Sequence, residues 1–144
     1  MKNRLILITL LVIAAITVSS CSKDDDSPAD PSQTQNNVQT GTWRVTLYND
    51  SGESRTSYFE GFSFTFNSNG SLTAVNGTVT QNGTYSVYKD SGDTKFDITF
   101  QAASGPFEEI SEDWRIITQS TGKIELINVS GGNGGTDYLT FEKN

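Results

Sequence analysis

Phe62-Ser63-Phe64-Thr65-Phe66 places three phenylalanines on alternate positions, and Asn69-Gly70 separates it from Ser71-Leu72-Thr73-Ala74-Val75. Period-2 alternation puts the three rings on one face of a strand. Asn-Gly is the strongest short signal for a tight hairpin, so the second segment is expected to return beside the first. The same grammar extends in both directions. Upstream, Thr42 to Tyr48 alternates, with Trp43, Val45 and Leu47 on one face, and Asp50-Ser51-Gly52 supplies a turn. Downstream, Asn76-Gly77 and Asn82-Gly83 read as two further turns, bounding Thr78-Val79-Thr80 and Thr84 to Tyr88. Asp90-Ser91-Gly92-Asp93 turns into Lys95 to Phe100, and Gln101 to Ile110 is the longest irregular segment. Asp113 to Ile117, Lys123 to Ile127 and Asp137 to Glu142 complete the set.

This makes about eight short strands with polar turns, a pattern of all-β sandwiches and barrels. Short links favour an antiparallel meander. Closing eight strands into an up-and-down barrel removes exposed edges. The expected interior is Trp43, Phe62, Phe64, Phe66, Leu72, Tyr85, Val87, Phe96, Ile98, Phe100, Trp114, Ile116, Leu126, Leu139 and Phe141. A two-sheet sandwich would bury the same residues, so periodicity leaves that alternative open. No helix is expected after the first 20 residues.

Composition excludes several chemistries. The 144 residues contain no histidine and one cysteine, which removes His-based triads, His-containing zinc sites and cysteine metal clusters. The net charge of −7 comes without a basic stripe, so nucleic acid is not an expected partner. No nucleophile–base pair stands out, and neither an enzymatic activity nor a cofactor is expected.

The first residues carry an address. Lys2 and Arg4 precede an apolar run from Leu5 to Val18, and small residues Ser19 and Ser20 follow. That is the order of a secretory signal, and the run is shorter than the ~20 residues of a spanning helix. Cys21 stands directly after it, in a polar stretch and without a second cysteine to pair with. Residues 21–39 are acidic and polar, with Asp24-Asp25-Asp26 and two prolines, and read as a flexible tether before a domain at 40–144.

Two resemblances add to this reading. Val18-Ser19-Ser20-Cys21 resembles the bacterial lipobox, which implies cleavage between Ser20 and Cys21 and diacylglycerol on the Cys21 sulfur. Ser22-Lys23-Asp24-Asp25-Asp26 resembles the surface-export signal of Bacteroidetes lipoproteins, implying an outer-membrane lipid anchor facing outward, with a periplasm-facing lipoprotein as the alternative. In the domain, Gly41-Thr42-Trp43 is similar to the G-x-W of lipocalins. With the Phe62–Phe66 strand, the Trp114 strand and Tyr138-Leu139-Thr140-Phe141, it resembles small lipocalin-like domains of Bacteroidetes lipoproteins. The resemblance implies a calycin-type barrel with Trp43 closing one end. No late arginine stands where lipocalins pack one on that tryptophan.

Three surfaces remain as candidates. Phe62, Phe64, Tyr85, Phe96 and Trp114 are the expected walls of a cavity for a small apolar or amphipathic ligand, if the interior is open. If the same rings fill it, the domain is an accessory or interaction module for another envelope protein. Glu108, Glu109, Glu112 and Asp113 could pair for glycoside chemistry but read as a solvated acidic loop.

Overall fold

The computed structural model describes residues 29–102, 104–131 and 134–144. Cys21, Ser20 and the Ser22–Asp26 run lie outside the described residues. Nine strands follow in chain order: β1 (Trp43–Asp50), β2 (Glu53–Ser54), β3 (Ser63–Phe66), β4 (Ser71–Asn76), β5 (Val79–Asp90), β6 (Asp93–Phe100), β7 (Asp113–Gln119), β8 (Lys123–Val129) and β9 (Thr136–Lys143). Consecutive strands from β3 to β9 pair antiparallel, and β1 pairs with both β3 and β9. This closes an eight-stranded up-and-down barrel, so the sandwich alternative falls away. The two-residue β2 is an extra strand folded back on the end of β1.

The turns show why these residues form hairpins. Ser51-Gly52 and Ser91-Gly92 each link directly paired strand ends, and all four have positive φ, at 50°, 97°, 50° and 94°. Two left-handed residues in a row give the turn whose twist matches the strands it joins. Asn82-Gly83 departs from the expectation. It lies inside the continuous strand β5, with Gly83 paired to Leu72 on one side and Phe100 on the other. A Cβ at Gly83 would run into the Thr99 carbonyl, so this glycine serves a close strand approach and not a turn.

A bulge in β1 corrects a second expectation. The pairing with β9 shifts register between Val45 and Leu47. One extra residue exchanges the two faces. Tyr48 is therefore buried at 1% exposure and Leu47 is 41% exposed, the reverse of strict alternation. A similar shift in β7 between Ile116 and Thr118 leaves Ile117 outside.

The tether expectation fails from Asp30 onward. Pro31–Val38 forms a helix, α1, capped by the Asp30 carboxylate, which accepts from the Gln33 N–H at 3.0 Å. Proline at the start of the helix loses no bond, because its N–H would be orphaned there. Thr34 and Val38 are fully buried against the barrel. Beyond them the chain reaches Gly41 (φ 75°) and enters β1. Residues 29–39 are thus packed on the barrel, ahead of the boundary expected at residue 40.

Candidate functional site

The barrel interior is a column of aromatic rings. Phe62 meets Phe107 at 5.0 Å between centroids, Phe107 meets Phe64 at 6.2 Å, and Phe64 meets Phe141 at 5.2 Å. Phe141 meets Phe66 at 5.6 Å, and Phe66 meets Tyr85 at 5.1 Å and Phe96 at 5.5 Å. Most of these contacts are edge-to-face, the arrangement in which the positive ring edge meets the negative face of its neighbour. Leu72, Ile98, Leu126 and Leu139 pack around the column, each at most 1% exposed.

Each end of the barrel has its own closure. At the end where β1 starts, the Trp43 indole N–H donates to the Val38 carbonyl at 2.9 Å, tying the last turn of α1 to the floor. Lys143 Nζ sits 5.0 Å from the centre of the Trp43 ring, a cation–π contact. Gln39 Nε2 donates to the Tyr85 hydroxyl at 3.0 Å, and that hydroxyl donates to the Asn67 carbonyl at 2.9 Å. Upstream, Thr94 Oγ1 and Lys89 Nζ both donate to the Ala29 carbonyl.

At the opposite end, a 3-10 turn (Thr56–Phe59) inserts Phe59, and the short helix α2 (Pro106–Glu109) inserts Phe107. The two rings meet edge to face at 5.4 Å. Ile110 follows, fully buried, and its carbonyl accepts from the Trp114 indole at 3.0 Å. Residues 104–110 of the irregular segment therefore form a plug.

The five expected cavity walls divide accordingly. Phe64, Phe96 and Trp114 are fully buried, Tyr85 is 6% exposed, and Phe62 is partly buried at the plugged end. Phe62 and Phe64 pack on Phe107, whereas Tyr85 and Phe96 stack on each other at 5.9 Å near α1. Val38, Phe59, Phe107 and Lys143 complete the closures and were not foreseen from strand periodicity. The Asp30-Pro31 pair before a short polar run is a helix-start signal that could have exposed α1.

The acidic loop is likewise dispersed. Glu109 pairs with Arg55 at 2.9 Å, and Arg55 also holds Asp50 at 2.9 Å and Glu53 at 3.1 Å. Asp113 pairs with Lys95 at 3.1 Å, and the backbone carbonyl of Glu112 accepts from Ile98 N. Burial, with Asp50 and Glu109 nearby, pushes the Tyr48 phenol well above its usual range. The Lys123 ammonium and the Thr118 hydroxyl hold the Glu125 carboxyl below the usual carboxylate range.

Large apolar side chains also face outward. Tyr58 is 50% exposed and Val79 48%, both at the plugged end, and Val129 on β8 is 64% exposed.

No family model and no curated protein matches the chain. Among solved structures it is similar to a DUF4847 family protein from Bacteroides vulgatus. The TM-score is 0.52 at 18% identity, over 77% of this chain and 97% of that one. At that identity the likeness supports the barrel fold alone.

Proposed function

We propose that the chain is a lipid-anchored accessory module of the bacterial envelope. In this reading it is held through diacylglycerol on Cys21 and acts through the outside of a filled barrel. The observation that supports this best is the unbroken ring column from Phe62 to Tyr85 and Phe96, closed at one end by Val38 and Trp43 and at the other by Phe59 and Phe107. A small apolar ligand would have to part these contacts and displace one closure. Eight strands enclose just enough room for side chains or one small guest, and the ring contacts support the side-chain reading. The exposed Tyr58, Val79 and Val129 offer apolar contact area on the outside.

The leader and the Ser22–Asp26 run support export and an outer-membrane, outward-facing address. The partner in this reading is the membrane through Cys21, together with another envelope protein on the barrel surface. Native mass spectrometry of the purified domain tests the filled interior. The expected spectrum holds the mass of the polypeptide alone. A stoichiometric apolar adduct that survives desalting would instead establish the ligand-binding reading.

A further inference from the structure

We infer that the anchored barrel stands with its α1 end toward the lipid surface and its plugged end outward. This rests on the Cys21 anchor proposed above. Two independent features of the described fold carry it.

The first is where the chain joins the barrel. Seven residues, hence eight Cα–Cα steps, separate Cys21 from Ala29. Even fully extended they span only about 26–29 Å. The Ala29 carbonyl is fixed at the α1 end by Thr94 and Lys89, at the β5–β6 hairpin. The plugged end lies farther along by roughly the length of β1, on the order of 20–25 Å for an eight-residue strand. A tether reaching to residue 39 would have left the barrel free to tumble. The docked α1 shortens that slack, so that only an almost fully extended tether lets the plugged end reach the lipid surface, at a cost in chain entropy.

The second feature is the partition of charge. Asp50, Glu53, Glu60 and Asp137 lie on strand ends and turns at the plugged end, and Glu108, Glu109, Glu112 and Asp113 lie on or beside α2. Among the described residues Arg55 is the one base built into that end, and Lys95 reaches Asp113 from the middle of the wall. Glu60, Glu108, Glu112 and Asp137 have no ion pair among the described residues. At the α1 end Arg44, Lys89, Lys123 and Lys143 balance Asp30, Asp90, Asp93 and Glu142. In the central wall, Lys95 and Arg115 balance Asp97 and Glu125. The net negative charge of the described domain therefore sits at one pole, and the lysines nearest Ala29 sit at the other. An anionic lipid surface repels the first pole and leaves the balanced second pole without net repulsion within a Debye length, ~8 Å at physiological salt. Attachment point and field favour the same orientation.

Ser91 and Ser51 provide matched reporters. They occupy equivalent turn positions at the two poles, with the same φ of 50°. The lipidated full-length protein, carrying either Ser91→Cys or Ser51→Cys labelled with a donor fluorophore, would be reconstituted into vesicles of phosphatidylcholine and phosphatidylglycerol that contain an acceptor lipid. Lipid on Cys21 leaves the introduced thiol as the labelled one. Transfer from position 91 is expected to exceed that from position 51 by about twofold or more, given a separation of one barrel length. Equal transfer, or the reverse order, in protein that floats with the vesicles overturns the orientation alone. Protein that does not float overturns the anchor and the orientation together.

Discussion

At the residue scale, the least expected side chain is Tyr48. A single bulge turns it inward, where it meets Phe59 at 5.7 Å, edge to face. Burial, with Asp50 and Glu109 close by, raises its phenol above the ordinary value of 10. The folded state therefore keeps the proton while the unfolded chain releases it. Stability from this group is complete below pH ~10 and falls as pH rises beyond it toward the folded value. Alkaline titration of unfolding should show this loss, and Tyr48→Phe should flatten it above pH ~10. An unchanged alkaline slope in the variant would assign the loss to other groups. Strict alternation hides Tyr48, because a bulge leaves no mark in a window of apolar and polar letters. The phenylalanines at 64 and 66 lie on an unbroken strand, and their inward placement follows from spacing alone.

At the scale of elements, α1 is the piece whose role changed most. Its eight residues are nearly all polar, and an isolated helix of that length is marginal in water. Packing holds it: buried Thr34 and Val38, the bond from Trp43 to the Val38 carbonyl, and the Gln39–Tyr85 contact. Val38→Asp should place an unpaired carboxylate against the floor of the barrel and destabilise the domain by about 2–4 kcal/mol. Chemical denaturation of the variant beside the parent measures this. A midpoint within error of the parent would mean that α1 is not part of the cooperative unit. The strands and most turns were legible because alternation and Asp-Ser-Gly or Asn-Gly pairs state local geometry directly. The closures were not. α1 depends on one valine meeting a distant tryptophan, and α2 on one phenylalanine in an irregular loop. Such contacts have no period. The sites divide in the same way: burial of the five candidate rings was readable, but whether they enclosed a space depended on Phe59 and Phe107.

At the scale of the whole molecule, the chain combines an address and a body. The body is a closed barrel whose ends are both occupied and whose charge is gathered at one pole. In the proposed reading its capacity to act lies on its outside, and its location depends on a single residue, Cys21, in a leader that resembles a lipobox. The central claim is that Cys21 alone ties a self-sufficient domain to the membrane. Fractionation of cells expressing the native chain and Cys21→Ala, with limited proteolysis of the protein recovered, tests it most directly. The native protein is expected to sediment with membranes and to be released by detergent. The variant should instead leave the membrane surface, or remain with its leader uncut, and yield a protease-resistant core beginning near Ala29. A Cys21→Ala protein that is processed after Ser20 and still sediments with membranes would contradict it.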